Sequence, residues 1–327
     1  MAQARPTSGP MIETNDLRRT FKSRKTEVEA VRGVDLSVGT GEIFGFLGPN
    51  GAGKTTTLRM LATLLTPTAG SATVAGADLR REPQTVRERI GYVPQGGSTD
   101  PAETGRGELV IQGRLYGMSM AQAQARAREV LASLDLESAA DRSTSTYSGG
   151  MKRRLDVGLG IVHRPAVLFL DEPTTGLDPQ ARARMWEEIR NLRAQGTTVF
   201  LTTHYLEEAD ALCDRLAIID QGRIVTEGTS DELKRQVAGD VVTLGVSADP
   251  ERVLSAIRDE PYVREAGHED GLVRLYVDNG DTAVPQILRT LDAAGLAPRT
   301  ISMSRPSLDD VFLRQTGRSL RDEVAAA

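Results

Sequence analysis

The segment from Gly48 to Thr55 has the residue types that a polyphosphate-binding loop requires. It reads Gly-Pro-Asn-Gly-Ala-Gly-Lys-Thr and fits the pattern G-x-x-x-x-G-K-[ST]. Its glycines let backbone N–H groups converge on a phosphate, and a following helix would direct its N-terminal N–H groups at the same anion. Lys54 would reach the β- and γ-phosphates, and the Thr55 hydroxyl would contact Mg²⁺. The predicted residues for binding a nucleoside triphosphate are Gly48, Pro49, Asn50, Gly51, Ala52, Gly53, Lys54, Thr55 and Thr56.

Two neighbouring carboxylates end an apolar segment further along the chain. Residues 167–171 indicate a buried strand that ends in Asp171, and Glu172 follows directly. In P-loop ATPases the aspartate at this point holds the magnesium shell, which predicts that role for Asp171. Glu172 would accept a proton from the attacking water. A solvated acidic turn has the same local pattern, but the position after a phosphate loop and a helical stretch favours the catalytic interpretation.

A second anion site is indicated by the triplet Ser148-Gly149-Gly150. The triplet precedes a segment with helical spacing of its apolar residues. Small residues at a helix N-terminus favour anion binding for the same reason as in the phosphate loop. One chain that holds one nucleotide does not need two such sites.

With this triplet the sequence resembles the ABC ATPase family, whose signature is usually Leu-Ser-Gly-Gly-Gln. In that family two cassettes pack head to tail, and the Ser-Gly-Gly of one covers the γ-phosphate that the other holds. The resemblance therefore implies ATP as the nucleotide and a homodimer with two composite sites. Tyr147 and Met151 depart from the usual leucine and glutamine, whereas the Ser-Gly-Gly core is intact.

Four further short segments resemble the family in the expected order. Gln95 ends a segment similar to the Q-loop, where it would contact Mg²⁺ and the attacking water, and Asp178 ends one similar to the D-loop, which crosses the dimer interface. His204 resembles the switch histidine that senses the γ-phosphate, and Phe21 stands where the family has an aromatic that stacks on adenine. Taken singly, His204 and Phe21 also fit ordinary structural roles. The catalytic residues predicted in this way are Lys54, Gln95, Glu172 and His204, and the predicted metal-binding residues are Thr55, Gln95 and Asp171.

The elements that must position these residues are predicted as alternating strands and helices. Near-continuous apolar runs at 42–48, 166–171 and 197–203 alternate with helical patterns, which indicates a parallel sheet covered on both faces. Between the Q-loop and the triplet the pattern is helical, which predicts a helical subdomain at about 96–165. The predicted fold class is α/β, a P-loop NTPase ABC cassette over 11–238 with a mostly parallel sheet domain and this inserted subdomain.

Beyond the cassette the spacing of apolar residues changes to short alternating runs and helical patterns, which is typical of a small α+β domain. The order β-α-β-β-α-β predicts a ferredoxin-like accessory domain over 239–316, and residues 317–327 are predicted to be disordered. Ser307 would cap one more short helix, to about Thr316. The pattern predicts strands near 242–246, 263–266, 273–277 and 299–303 and helices near 253–257 and 284–291.

The last of these helices carries a second resemblance. The segment 306–313, followed by Thr316 and Gly317, resembles the C-terminal motif of drug-exporter ATPases of the daunorubicin-resistance type. That resemblance implies export of a hydrophobic drug, antibiotic or lipid. An amphipathic helix that covers the accessory domain would use the same apolar residues, and the two interpretations are compatible.

Composition and charge narrow the functions further. The 327 residues, 26% of them charged, indicate two soluble domains, and no run approaches the roughly 18 apolar residues of a membrane span. Residues 1–10 lack the apolar core of a secretory signal, and the single cysteine, Cys213, fits a reducing cytosol. The net charge is −5 without a basic tract, so no nucleic-acid partner is expected. The expected location is peripheral, on the cytoplasmic face of the membrane.

Two alternatives to an exporter are left open. An importer ATPase shares the entire cassette, so only the C-terminal motif favours export. A non-transport ABC ATPase that acts on ribosomes or DNA usually has two cassettes in one chain or long coiled coils, whereas this chain has one phosphate loop, one triplet and no sustained heptads. The preferred prediction is transport with a separate membrane permease, which would dock beside residues 95–116 with the Gly- and Ser-rich segment 96–101 as a mobile contact loop.

Overall fold

The structure is a computed structural model that describes residues 9–22, 26–237, 239–247, 249–269, 271–317 and 319–320. These residues form two compact units that divide between Thr229 and Ser230. None of the described helices combines the length and the apolar composition that crossing a bilayer requires.

The first unit contains two sheets, seven α-helices and two short 3-10 helices among its described residues. Its strands are β1 (Ile12–Lys22), β2 (Glu27–Val38), β3 (Ile43–Leu47), β4 (Ala69–Val74), β5 (Ala77–Asp78), β6 (Ile90–Val93), β7 (Val167–Asp171), β8 (Thr198–Thr203), β9 (Arg215–Asp220) and β10 (Arg223–Gly228). Its helices are α1 (Lys54–Leu61), α2 (Pro83–Arg89), α3 (Gly105–Leu115), α4 (Met120–Ser133), α5 (Gly149–Ile161), α6 (Pro179–Ala194) and α7 (Leu206–Leu212).

The central sheet has six strands in the order β10-β9-β3-β8-β7-β6, and all neighbours except the β9–β10 hairpin are parallel. Every residue of β3, β7 and β8 is buried, as expected for a parallel sheet covered on both faces. The predicted parallel sheet is confirmed. Because carboxyl ends of neighbouring parallel strands meet at one sheet edge, the segments that follow β3, β7 and β8 lie side by side.

Side-chain alternation separates the two faces of this sheet. Phe44 and Phe46 of β3, Phe169 of β7 and Phe200 of β8 project to one face, where they join one buried cluster with α1. Their rings lie close together, with 5.6 Å between the centroids of Phe44 and Phe200. The intervening aliphatic residues project to the other face and pack with α5 and α6. Both faces are therefore closed by apolar packing, which holds the strand ends in place.

A separate antiparallel sheet, with strand order β2-β1-β4-β5, was not predicted from the sequence. Its strands bury one face only, so they contain no long apolar run. In β2 the alternating residues Val34, Leu36 and Val38 are buried and the residues between them are exposed. The alternation of apolar residues at every second position is the feature of the sequence that could have predicted this strand, because it indicates a half-buried strand.

The chain between β6 and β7 contains α3, α4 and α5 and, over the fully described residues 94–166, no strand. This agrees with the predicted helical insertion. The three helices share a core that includes Leu109, Val130, Leu131 and Leu155. Helix α5 also packs against the parallel sheet, so it joins the insertion to the strands that carry the site.

The second unit is built on a four-stranded antiparallel sheet, with order β12-β13-β11-β14, that has the predicted ferredoxin-like connectivity. Helices α9 and α10 pack on the sheet and bury residues such as Val253 and Ile287 with its apolar face. Its elements are α8 (Ser230–Gln236), β11 (Asp240–Gly245), α9 (Pro250–Ile257), β12 (Val263–Glu269), β13 (Leu272–Val277), α10 (Gly280–Ala293), β14 (Thr300–Ser304) and α11 (Leu308–Thr316).

The boundaries of the second unit differ from the prediction at both ends. Helix α8, which the sequence assigned to a cassette ending at 238, groups with the second unit because it packs on α11, where Arg314 donates a hydrogen bond to the Gln236 carbonyl. Within the predicted disordered segment 317–327, Ser319 and Leu320 are instead buried, and both donate hydrogen bonds to Asp309. Residues 318 and 321–327 lie outside the described residues.

Candidate active site

The loop between β3 and α1 uses its glycines for two different purposes. A Cβ at Gly48 would overlap the carbonyl oxygen of Ile219, and a Cβ at Gly53 would lie 2.5 Å from the carbonyl oxygen of Ala30. These two glycines therefore allow close packing against neighbouring backbone. Gly51 has φ +79°, and a Cβ at this position would have no atom within 4 Å, so Gly51 supplies the left-handed turn and leaves an open cradle above the loop.

Lys54 is buried inside this loop, with 4% of its side chain exposed. Its Nζ donates hydrogen bonds to the carbonyl oxygens of Gly48 at 2.7 Å and Pro49 at 3.0 Å, and it lies 3.5 Å from Oε1 of Glu172. Burial lowers the pKa of Lys54, and the nearby carboxylates of Glu172 and Asp171 oppose that shift. The loop therefore holds an amine among carbonyl oxygens that phosphate oxygens can replace.

Asp171, at the end of β7, is fixed by hydroxyls from two neighbouring elements. Its Oδ1 accepts hydrogen bonds from Thr55 Oγ1 at 2.9 Å and from Thr202 Oγ1 at 2.7 Å. The predicted metal-binding pair of Thr55 and Asp171 is thus in direct contact. A carboxylate and a hydroxyl next to a phosphate cradle are the oxygen donors that suit Mg²⁺. Thr202 was missed by sequence reasoning, although it lies two residues before His204.

Glu172 has φ +47°, a left-handed backbone conformation that is uncommon for a residue other than glycine. Its Oε2 accepts hydrogen bonds from Gln95 Nε2 at 2.8 Å and from Thr175 Oγ1 at 3.1 Å. His204 Nδ1 lies 3.1 Å from the same oxygen, without the alignment of a hydrogen bond. The structure therefore brings the buried side chains of Lys54, Glu172 and His204 together with the exposed Gln95 in one cluster.

The surroundings of Glu172 favour its ionised form. Burial by itself raises the pKa of this carboxyl. The contacts with His204, Lys54 and Thr175 lower the pKa by more than burial raises it, so the resulting pKa lies below the ordinary value for glutamate. Glu172 is consequently a carboxylate at neutral pH. An ionised carboxylate can accept a proton from a water molecule beside it.

The triplet and the D-loop aspartate lie at two exposed helix starts instead of in this cluster. Ser148 caps α5 by accepting a hydrogen bond from Met151 N, and Asp178 caps α6 by accepting one from Ala181 N. Ser148, Gly149 and Asp178 are exposed, and Gly150 is half-buried. A Cβ at Gly150 would lie 3.1 Å from the Cβ of Ala181, so the two helix starts are neighbours. They form a second group of predicted site residues, open to another molecule.

The two departures from the family signature leave this helix start unchanged. Tyr147 is buried, and its hydroxyl donates a 2.7 Å hydrogen bond to the Ala139 carbonyl, so it serves the core of the helical insertion. Met151 contributes its backbone N–H to the Ser148 cap, a contact that does not depend on its side chain.

Phe21 lies at the end of β1 with 41% of its surface exposed. The Arg19 guanidinium carbon is 4.6 Å from the centre of its ring, and its backbone pairs with Val28 of β2. Two residues further along β2 is Ala30, whose carbonyl lies against Gly53 of the phosphate loop. The structure therefore offers an exposed aromatic ring on the strand pair that borders the loop.

A cleft of about 540 Å³ lies beside the Gln95 segment, between β6, α3 and α5. Its lining includes the carboxylates of Asp100, Glu103 and Glu108, and its apolar rim includes Ile111 and Tyr116, which are half or nearly half exposed. Burial, together with the neighbouring carboxylates, raises the pKa of Glu108 to about 7. The cleft occupies the region in which the sequence predicts docking.

Comparisons with known proteins agree on one family across both units. The chain matches the family described as "ABC transporter" over residues 31–175. It also matches the family described as "ATP-binding protein DrrA1-3-like, C-terminal domain" over residues 228–316.

Individual relatives extend this similarity over almost the entire length. The daunorubicin resistance ATP-binding protein DrrA2 of Streptomyces coeruleorubidus is 47% identical, over 93% of this chain and 96% of the relative. The daunorubicin/doxorubicin resistance ATP-binding protein DrrA of Streptomyces peucetius is 45% identical, over 95% of this chain and 94% of the relative. Among solved structures, a dimeric bacterial ABC transporter cassette has a TM-score of 0.62 at 25% identity, covering 67% of this chain and 98% of its own.

Proposed function

Because this chain belongs to the ABC transporter family, and within it to the ATP-binding subunits of the daunorubicin-resistance type, we propose that it hydrolyses ATP to drive export of a hydrophobic drug, antibiotic or lipid through a separate membrane permease. The observation that carries this function is the cluster of Lys54, Gln95, Glu172 and His204. The cluster lies beside a phosphate loop, at the carboxyl edge of the parallel sheet.

ATP binds at the phosphate loop. Backbone N–H groups and the N-terminus of α1 meet the phosphates, and Lys54 exchanges the carbonyls of Gly48 and Pro49 for β- and γ-phosphate oxygens. When bound, Mg²⁺ would neutralise the charge that develops on these oxygens. Thr55, Gln95 and Asp171 would hold it, since Thr55 and Asp171 are in contact at the end of the phosphate loop and Gln95 lies against Glu172.

Hydrolysis depends on positioning more than on covalent chemistry. Glu172 takes the proton of the attacking water, and Gln95 and Thr175 hold the carboxylate in the orientation that this transfer needs. His204, on the neighbouring strand end, contacts the γ-phosphate and the same carboxylate, so it links the presence of that phosphate to the base.

A homodimer would complete two composite sites. The helix starts at Ser148–Gly150 and Asp178 support this arrangement, because Ser148, Gly149 and Asp178 are exposed and the start of α5 is open to another molecule. The likeness to a dimeric cassette adds support. In the closed dimer, the triplet of one copy would cover the γ-phosphate held by the other.

The cleft beside the Gln95 segment is the proposed docking site for the permease. Its apolar rim and its carboxylates suit a short amphipathic helix with apolar and basic side chains. Docking there would hold the chain as a peripheral subunit on the cytoplasmic face of the membrane. The likeness of the second unit to the DrrA1-3-like domain supports export, and an importer is not favoured.

The test is purification of the chain from its native cells in mild detergent, followed by identification of the proteins that accompany it and assay of ATP hydrolysis. A polytopic membrane protein in stoichiometric amount is expected, with hydrolysis that Glu172→Gln reduces by about 10²- to 10⁴-fold while ATP binding is retained. Ribosomal proteins or DNA-bound factors without a membrane partner would contradict the transport function. Near-native hydrolysis by Glu172→Gln would contradict the assignment of the base.

A further inference from the structure

Arg153 lies on α5, close after the triplet, and is buried, with 8% of its side chain exposed. Its Nε donates a hydrogen bond to the Pro173 carbonyl at 2.8 Å, and its Nη1 donates one to the Pro94 carbonyl at 2.6 Å. Its Nη2 donates to the carbonyls of Asp171 at 3.0 Å and Glu172 at 3.3 Å. One guanidinium therefore ties the segment after β6 to the segment after β7.

Two of these carbonyls flank the Cα atom of Glu172. The Asp171 carbonyl belongs to the peptide before that atom, and the Glu172 carbonyl belongs to the peptide after it. Holding both peptide planes restricts φ and ψ of Glu172, and these angles set the direction of its side chain. The left-handed conformation of Glu172 needs such support, because strained conformations persist only where the surroundings over-determine them.

Asp156, three residues further along α5, holds the other end of the Gln95 segment. Its Oδ1 accepts hydrogen bonds from Ser98 N at 2.7 Å and Ser98 Oγ at 3.1 Å. The chain from Pro94 to Ser98 is thus anchored at both ends on one helix, and Gln95 lies between the anchors. Gln95 in turn donates to Glu172, whose backbone Arg153 holds.

We propose that Arg153 is a positioning residue for ATP hydrolysis, which sets the orientation of Glu172 and its contact with Gln95, while Asp156 fixes the far end of the Gln95 segment. This rests on the proposed role of Glu172 as the base. Four directed hydrogen bonds from one group require the planar fork of arginine, which a lysine ammonium cannot reproduce. Because α5 begins at the triplet, the same helix links the proposed partner-facing surface to the base.

The test compares Arg153→Met and Arg153→Lys with Arg154→Met in the full chain. Arg154 is a matched control on the same helix, because its Nη1 donates instead to the Leu134 and Asp135 carbonyls within the helical insertion.

In Arg153→Met, kcat should fall by roughly 10- to 100-fold, the size expected for a misplaced catalytic group. KM for MgATP and the affinity for trinitrophenyl-ATP should stay within about threefold of the native values, since the described contacts of Arg153 do not include the phosphate loop. Arg153→Lys should recover little of the loss, and Arg154→Met should retain native kcat.

A double variant separates this inference from the proposed function. If Arg153 acts through Glu172, single-turnover hydrolysis by Arg153→Met/Glu172→Gln should be no slower than by Glu172→Gln alone. A native kcat in Arg153→Met, or a loss that multiplies fully with that of Glu172→Gln, would overturn the positioning role. Near-native kcat in Glu172→Gln would instead overturn the base assignment. If Arg153→Met does not fold, Arg153→Lys and Asp156→Asn give the same kcat-against-KM comparison.

Discussion

Lys54 shows how one buried side chain serves two neighbours in the site. Its ammonium group is hydrogen-bonded to two loop carbonyls and lies 3.5 Å from Glu172. It is therefore placed to bind phosphate oxygens, and it also helps to keep the Glu172 carboxyl ionised. Burial of a charged amine is unfavourable unless it is paired, and both sets of partners offset that cost. The same residue is therefore expected to affect nucleotide binding and the protonation of the base.

Replacement of Lys54 by alanine should weaken ATP binding by roughly 10- to 100-fold, because hydrogen bonds to charged groups contribute about 1.5–3 kcal/mol each. Titration of the variant with trinitrophenyl-ATP measures the loss. Lys234→Ala, in the second unit, is the control and should bind as the native chain does. An unchanged dissociation constant for Lys54→Ala would contradict the proposed phosphate contact.

Glu108 predicts a pH dependence of stability in the first unit. Its pKa is about 7 in the folded chain against 4.5 for the ordinary side chain, so between these values the folded state binds more protons than the unfolded state. The free energy of unfolding therefore falls as pH rises through this window, and the stabilisation present below about pH 4.5 is lost above about pH 7.

Glu108→Gln should remove that dependence, since the amide oxygen can still accept the hydrogen bond from Asp100 N. The variant should exceed the native chain in stability by about 1 kcal/mol at pH 8, a figure reduced for solvent screening, and by much less at pH 5. Urea unfolding followed by the fluorescence of Trp186, the single tryptophan, measures the difference. Glu187→Gln, at an exposed position of α6, is the control. An equal difference at both pH values would show that Glu108 does not titrate in this range.

Among the elements, α11 has both a capping motif that the sequence indicates and an apolar face that tertiary packing buries. Ser307 and Asp310 form the capping box that the sequence indicates, and Leu308, Val311 and Phe312 are buried. The apolar face of this helix is therefore buried, as the amphipathic interpretation predicts, and the helix packs with α8 of the same unit. Its packing also explains why α8 groups with the second unit.

Phe312→Ala should destabilise the second unit by about 3–5 kcal/mol, the usual cost of removing a fully buried phenylalanine. Hydrogen exchange of the amides of β11 to β14 measures this loss as faster exchange. Leu288, on α10, is 39% exposed, so Leu288→Ala is a matched control that should change the stability by less than about 1 kcal/mol. Equal protection in both variants would contradict the core role of Phe312.

At the scale of the whole molecule, the two groups of site residues predict how copies of the chain associate. The cluster around Glu172 is proposed to carry the chemistry, and the exposed start of α5 is proposed to meet the nucleotide that a partner copy holds. A catalytically slowed chain, Glu172→Gln, should therefore form a dimer with MgATP and remain monomeric without it. Light scattering after size-exclusion chromatography measures the association.

Gly149→Asp should abolish that dimer, because a carboxylate at the start of α5 would repel the γ-phosphate held by the partner. Nothing lies within 4 Å of a Cβ at this position, so the substitution does not disturb the chain's own packing. Binding of trinitrophenyl-ATP should therefore be retained. A dimer that persists in Gly149→Asp/Glu172→Gln would contradict the head-to-tail arrangement.

The amino-acid sequence by itself determined the features that depend on neighbouring residues. The loop from Gly48 to Thr55, the strand that ends in Asp171 and the ferredoxin-like rhythm of the second unit were all predictable, because glycine placement, apolar runs and period-two alternation are local properties. The roles predicted for Gln95 and His204 came instead from the resemblance to the ABC ATPase family, since no local pattern assigns them.

Only the tertiary structure decided which residues support that edge. Arg153 holds carbonyls that are 18 to 59 positions away in the chain, and Thr202 bridges to Asp171 across 31 positions. No local pattern distinguishes such residues from an ordinary arginine on a helix or threonine on a strand. The grouping of α8 with the second unit depended in the same way on packing against α11. These features follow from distant backbone groups that fold into contact, and a short stretch of sequence carries no record of them.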